Sequence, residues 1–466
     1  MRVPNRDMNV LDAVIKAYDV RGTVPDQLDS TLAHDVGAAF VRILGESQAR
    51  AVVIGHDMRP SGPDLVAAFA DGVREQGWDV VLIGLASTDG LYFASGHLGL
   101  PGAMFTASHN PAAYNGIKLC RPGAAPVGQD SGLREIKEMI AAGIPEVSGP
   151  IGQIREQDVL ADYATYLRGL VDISAIRPLR VVVDAGNGMG GYTVPAVLGD
   201  AAGLPALPLE IDQMYFELDG TFPNHEANPI EPENLRDLQA RVLQVGADLG
   251  LAFDGDADRC FVVDERGAIV SPSTLTALIA VRELAKHPGS SIIHNLITSR
   301  AVPEVVREHG GTPVRTRVGH SFIKATMAQT DAVFGGEHSG HFYFRDFWRA
   351  DSGMLAALHA IAALGRTPAG TTLSSMLAPY DRYVSSGEIN TRVADQQAVT
   401  AAIKTSYAGG DRQVDELDGL TISDADWWFN VRPSNTEPLL RLNVEAADAQ
   451  TMARVRDDVL AMMRAG

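Results

Sequence analysis

Apolar positions in this chain come in short runs that break into polar turns, and amphipathic stretches follow the turns. Ala51-Val52-Val53-Ile54-Gly55 predicts a buried strand, His56 to Gly62 a turn, Leu65 to Gln76 a helix by its spacing, and Val80–Ile83 a further strand. The same cycle restarts at Arg180-Val181-Val182-Val183-Asp184 and again at Ser291-Ile292-Ile293-His294-Asn295. The intervals, about 130 and about 110 residues, are too long for a solenoid. Three similar α/β segments are therefore expected, with a boundary near the prolines Pro145 and Pro150. The last part differs. Gly365 to Gly370 and Ala378-Pro379 read as a linker. Beyond them, Trp427–Val431 and Leu439–Val444 read as strands flanking a tight turn, and Met452 to Met463 has helical spacing, which predicts a smaller α+β domain.

Length and charge narrow the choices. A chain of 466 residues suggests roughly three to four domains. The net charge of −19 argues against nucleic acid and anionic membranes as partners, so a positive pocket for an anionic substrate has to be built locally. Two cysteines, Cys120 and Cys260, are too few for a disulfide scaffold and fit a reducing compartment. Residues 1–16 lack the apolar core of a signal peptide, and no run of about 18 apolar residues occurs. A soluble cytoplasmic protein is expected, and no oligomeric state is assigned.

Four loops carry candidate chemistry. In Met104-Phe105-Thr106-Ala107-Ser108-His109-Asn110-Pro111, an apolar lead-in runs into a turn enforced by the residue before proline. Ser108 is thereby presented on a loop beside His109 and close in sequence to Lys118, which suits phosphoryl acceptance. No G-x-S-x-G surrounds Ser108, which argues against an esterase.

In Asp254-Gly255-Asp256-Ala257-Asp258-Arg259, carboxylates at alternate positions between apolar flanks need a counter-charge, and a curled loop would turn them onto one hard cation. An EF-hand places Glu265 at its twelfth position. Its sixth position, however, is Arg259 where glycine is needed, and the flanks are strand-like.

Gly335-Gly336-Glu337-His338-Ser339-Gly340-His341 offers Glu337 and Ser339 for the vicinal hydroxyls of a sugar. Its two histidines are alternative metal ligands, although the sequence is not H-E-x-x-H. Arg432-Pro433-Ser434-Asn435-Thr436-Glu437-Pro438, with Arg441 beyond, makes a phosphate cradle without net positive charge. His320, after Gly319, is a candidate for proton transfer. One competing pattern is Gly186-Asn187-Gly188-Met189-Gly190-Gly191, which satisfies the dinucleotide fingerprint G-x-G-x-x-G, with Glu210 closing the next apolar run. That pattern is weak among 46 glycines and leaves the serine and aspartate loops without a role.

Taken in order, the four loops resemble the α-D-phosphohexomutase superfamily, within it the phosphomannomutase/phosphoglucomutase branch, over essentially the whole chain. The resemblance implies three α/β domains and a smaller fourth around a central cleft: 1–152 with the phosphoserine loop, 153–257 with the metal loop, 258–372 with the sugar loop and 373–466 with the phosphate loop. It implies that Ser108 is phosphorylated, and that Asp254, Asp256 and Asp258 hold magnesium (Mg2+) together with the phosphoserine. Arg21, His109, Lys118, Arg259 and His320 match positions near the reacting phosphoryl group. Glu337 and Ser339, with His341 in the same loop, match sugar contacts, and Arg432, Ser434, Asn435 and Thr436 match the site of the non-reacting phosphate. Tyr18, in Tyr18-Asp19-Val20-Arg21-Gly22, and Arg441 complete the substrate-binding set.

The implied reaction interconverts mannose 1-phosphate and mannose 6-phosphate through a hexose 1,6-bisphosphate that is both intermediate and activator. The glucose phosphates, or a phosphoglucosamine mutase, are the alternatives within the superfamily. A calcium-binding protein and a nicotinamide-dependent dehydrogenase are the rivals outside it. One departure stands out. Where many members of the branch have a lysine just after the third-domain strand, this chain reads Asn295-Leu296-Ile297-Thr298, with Arg300 and His294 as candidate substitutes.

Overall fold

Among the described residues, four sheets organise the chain, each with its helices. The computed structural model describes residues 7–45, 50–433 and 439–465, apart from the side chains of His320 and Ser321. The chain divides into two compact units, Met1–Val270 with Ser339–Ser375, and Ser271–His338 with Met376–Gly466.

In the first unit, one sheet runs Val20–Thr23, Tyr114–Arg121, Gly102–Phe105, Ala51–His56, Asp79–Leu85, Ile154–Glu156. Its members from Gly102–Phe105 onward are parallel, as expected of strands joined by helical crossovers. The helix Gly62–Glu75 begins with Pro63 in its first turn and buries Leu65, Val66, Phe69, Ala70 and Val73. Tyr114–Arg121 is antiparallel to Gly102–Phe105 and pairs Met104 with Lys118. This register puts Lys118 on the strand that flanks the serine loop.

The second sheet runs Ile269–Val270, Cys260–Asp264, Leu249–Phe253, Leu179–Asp184, Leu209–Met214. Leu249–Phe253 and Cys260–Asp264 form a fully buried antiparallel hairpin whose tip is the aspartate loop. The sheet thus continues to Val270, past residue 257, because two strands that exchange every ladder bond cannot belong to different layers. The same unit contains the hairpin Phe342–Phe344 with Ala350–Asp351. It also contains the helix Gly353–Gly365, in which every residue is buried.

In the second unit, Thr312–Thr316, Ser291–Asn295 and Phe334–Gly336 form a parallel layer. A separate antiparallel sheet runs Val384–Arg392, Leu439–Ala446, Trp427–Pro433, Leu420–Ser423, Gln413–Asp415, backed by the helices Gln396–Tyr407 and Ala449–Ala465. The fold class is as expected: α/β layers plus a smaller α+β part. Both cysteines are buried, and no disulfide joins them. Among the described residues, no helix is long and apolar enough to cross a membrane.

Candidate active site

The serine loop leaves the buried strand Gly102–Phe105 and turns at once, with Ser108 in the left-handed region at φ 50°. A side-chain-bearing residue held there needs outside support. Thr106 Oγ1 supplies some by accepting from Ser108 N at 2.8 Å. The Ser108 hydroxyl then donates to Asp254 Oδ2 at 2.7 Å, across 146 residues of sequence. The hydroxyl and the aspartate loop therefore share one buried site.

All three aspartates are almost fully buried, and one carboxylate oxygen from each lies within 4.8 Å of the other two. Lys118 Nζ donates to Asp256 Oδ2 and to Asp258 Oδ2, each at 2.7 Å. Thr88 Oγ1 donates to Asp256 Oδ2 at 2.6 Å. Arg259 Nε donates to Asp254 Oδ2 at 2.9 Å. Among the described residues, Asp256 Oδ1 and Asp258 Oδ1 are buried with no hydrogen-bond partner. Buried carboxylate oxygens without a donor are costly, and a divalent cation with oxygen preference is the group that would satisfy them.

Charge states follow from these contacts. Burial disfavours the Lys118 ammonium, but Asp256 and Asp258 outweigh it and hold the pKa well above its ordinary value. Lys118 is thus a fixed cation and not a base. Burial, then Arg259 and Arg21, push His109 down to about 3, so its ring is neutral near pH 7. Its Nδ1 accepts from Arg259 Nη2 at 2.6 Å and lies 3.1 Å from Ser108 Oγ. Burial first pushes Asp254 up to about 8, and Asp258 and Asp256 add to this against Arg259.

Arg21 donates to Asn110 Oδ1 at 2.6 Å and pairs with Asp19, so it borders the serine loop. Tyr18 is exposed in the turn before Val20–Thr23. His341 faces Arg259 across a short antiparallel bridge. Its Nε2 is 3.7 Å from Asp258 Oδ1, and its Nδ1 is 2.8 Å from Ser339 Oγ.

In the second unit, Glu337 is buried and accepts from Asn295 Nδ2 at 3.3 Å and Gly319 N at 3.2 Å. Arg432 is buried with Nη2 3.2 Å from Glu388 and Nη1 3.8 Å from Asp418; Arg441 lies 3.3 Å from Glu388. Ser434, Asn435 and Thr436 lie outside the described residues, as does the side chain of His320 at the start of the helix His320–Thr330.

Two patterns already set aside on the sequence find other uses, and one expectation is corrected. The glycine run 186–191 is not open for a dinucleotide. Met189 N donates to Gly255 O at 2.9 Å, and a Cβ on Gly188 would meet that oxygen at 2.6 Å, so the run supports the aspartate loop from below. Glu265 is no twelfth ligand, because Ser374 N donates to it at 3.0 Å and the loop is flanked by strands. Neither proposed substitute for the third-domain lysine presents a cation. Arg300 is spent on the carbonyls of Ala425, Asp424 and Trp427, and burial pushes His294 down to about 4.

Thr88 was not legible as a site residue. It begins the helix Thr88–Leu98, after the Ser87 cap, and meets Asp256 only through long-range packing. Asp351 groups with Asp258 and His341 in the same way.

Comparison with known proteins agrees with this geometry. Residues 12–145, 161–267, 271–383 and 388–462 match, in order, the phosphoglucomutase/phosphomannomutase α/β/α domains I, II and III and the C-terminal domain. A phosphomannomutase of Salmonella typhimurium is 41% identical over 436 residues, covering 92% of this chain and 94% of that protein. A protein of Xanthomonas campestris pv. campestris described as phosphohexose mutases is 40% identical over 97% of this chain and 99% of its own. The crystal structure of a phosphoglucomutase/phosphomannomutase family protein from Burkholderia thailandensis superposes with a TM-score of 0.86 at 34% identity, covering 97% of both chains. The resemblance carried by the four loops is borne out, and the chain belongs to the phosphoglucomutase/phosphomannomutase family of mutase enzymes.

Proposed function

We propose that the protein is a phosphomannomutase that interconverts mannose 1-phosphate and mannose 6-phosphate, with Ser108 carrying the phosphoryl group between turnovers. The observation that carries this reading is the Ser108 hydroxyl bonded to Asp254 beside two buried carboxylate oxygens that lack donors. Asp254, Asp256 and Asp258 would hold magnesium with the phosphorylated Ser108. That ion, when bound, offsets the nearly two negative charges of phosphoserine and polarises its phosphorus.

The sugar 6-hydroxyl attacks phosphorus. The bond to Ser108 Oγ breaks as the bond to O6 forms, and the hydroxyl proton passes to a base for which His320 is the candidate. The product is a hexose 1,6-bisphosphate, which turns over and returns its 1-phosphoryl group to Ser108. Lys118, Arg259 and Arg21 are the fixed cations that stabilise the transferred group. His109 stays neutral and accepts from Arg259, which orients the guanidinium toward the hydroxyl. Glu337, Ser339, His341 and Tyr18 contact the sugar. Arg432 and Arg441, with Ser434, Asn435 and Thr436, take the phosphate that does not react. The glucose phosphates form the alternative substrate pair. Of the expected domain limits, we keep the one near 372, move the first past Glu156, whose strand pairs with Asp79–Leu85, and move the second to about 270.

The test is incubation with glucose 1,6-bisphosphate labelled in its phosphoryl groups, followed by mapping of the label. Label on Ser108 is expected, and none there would reject the reading. Rates with mannose 1-phosphate and glucose 1-phosphate then rank the two sugars.

A further inference from the structure

Arg59 sits in the turn that follows the strand Ala51–His56, and its side chain is completely buried. Its guanidinium has five N–H donors, and all five are used. Nε donates to Asp57 Oδ2 at 3.3 Å. Nη1 donates to Pro111 O at 2.9 Å and Tyr114 O at 2.8 Å. Nη2 donates to Ser108 O at 2.9 Å and Asn110 O at 2.6 Å. Four carbonyls of one loop therefore converge on one cation. Asp57, itself fully buried, compensates the charge and also accepts from Arg59 N at 2.9 Å. The Phe222 ring covers the guanidinium at 5.2 Å.

Four carbonyl dipoles aimed at one point repel one another unless a donor array stands between them. Only a planar, five-donor group meets all of them together with a carboxylate. The loop they belong to holds Ser108 in its left-handed conformation, and Ser108 O itself is one of the four acceptors.

We propose that Arg59 is a positioning residue for phosphoryl transfer: its guanidinium sets the shape of the serine loop and so aims the Ser108 hydroxyl at the aspartate loop. It touches neither substrate nor the reacting oxygen. This inference rests on the phosphoserine reading above and adds a residue that acts through the backbone.

The test is Arg59→Lys, which keeps a positive charge but has three donors in the wrong geometry. Three readouts are needed: steady-state rates, the single-turnover rate of Ser108 labelling by glucose 1,6-bisphosphate, and thermal melting with far-UV circular dichroism. We expect a folded variant in which kcat and the labelling rate fall together by about 100-fold, the scale for displacing a reacting group by about 1 Å. KM for the sugar phosphate should stay within about threefold. A folded variant that labels at the wild-type rate overturns the proposal. So does a loss that merely follows the unfolded fraction, or one confined to KM.

Should Arg59→Lys not fold, Phe222→Leu removes the ring that covers the guanidinium, so that the guanidinium can shift and its bonds to the four carbonyls loosen. It should lower kcat about threefold with KM unchanged, and an unaltered kcat would equally overturn the proposal. Wild-type protein that takes no label on Ser108 would count against the phosphoserine reading and not against Arg59.

Discussion

The serine–aspartate region and the Arg432 region, both of which we propose to handle phosphate, are built differently. Around Ser108, the aspartates and Arg259 are buried, and the charged groups are held by partners far away in sequence, as in Ser108 with Asp254 or Lys118 with Asp256. Around Arg432, the arginines are balanced by Glu388 and Asp418, and Arg441 keeps 37% of its side chain exposed. A site that transfers a phosphoryl group gains from desolvated, pre-aimed charges, because nothing has to reorganise during the reaction. A site that only holds a phosphate, and must take either end of a sugar bisphosphate, gains from cations already tempered by carboxylates. The contrast is between preorganisation for chemistry and reversible grip.

This contrast can be broken most directly at the hydroxyl. Ser108→Ala should cut turnover at least ~100-fold, the scale for loss of a central catalytic group, and near-normal activity would reject the covalent route. Gly255→Ala comes next. A Cβ there would meet Ser108 O at 2.3 Å, so the serine and aspartate loops must move apart. We expect kcat to fall about 10-fold with about 2 kcal/mol lost in stability, the range for overpacking a buried contact; urea titration and rates on the same sample check both.

Arg432→Ala should behave in the opposite way, raising KM about 10-fold while kcat stays within about twofold, and an unchanged KM would reject the cradle.

The smallest effect on rate is expected at Asp89, which accepts from Tyr163 at 2.8 Å and Ser352 at 2.6 Å beneath the transfer site. Burial pushes its carboxyl up to about 6, against the bonds from Ser352, Ser87 and Tyr163. The folded chain keeps this proton to higher pH than the unfolded chain. The resulting stability is full below about pH 4 and is lost as pH rises through about 6. Asp89→Asn removes the step. Wild-type stability should therefore drop relative to the variant by about 3 kcal/mol between pH 4 and pH 7, measured by denaturant midpoints; parallel curves would show that Asp89 does not titrate there.

Much of the site was readable along the chain because its pieces are local. Ser108 lies after a buried strand and before a proline, and the aspartates alternate between two apolar strands, so each loop announces its chemistry without its partners. Arg59 and Thr88 were not readable. Arg59 looked like one charged residue in a polar turn, and its five acceptors include carbonyls 49 to 55 residues away. Arg300 illustrates the opposite error: a cation at a suggestive place in the sequence is spent on three backbone carbonyls.

By itself, then, the sequence determined the alternation of strand and helix, the four loops and the types of group each presents, because hydrophobic period and turn chemistry are short-range. Only the tertiary structure decided which groups meet, which carboxylate oxygens are left without donors, and which charges are spent. Those outcomes depend on contacts between residues more than a hundred positions apart and on burial, which changes the value of a charge after the chain has closed around it.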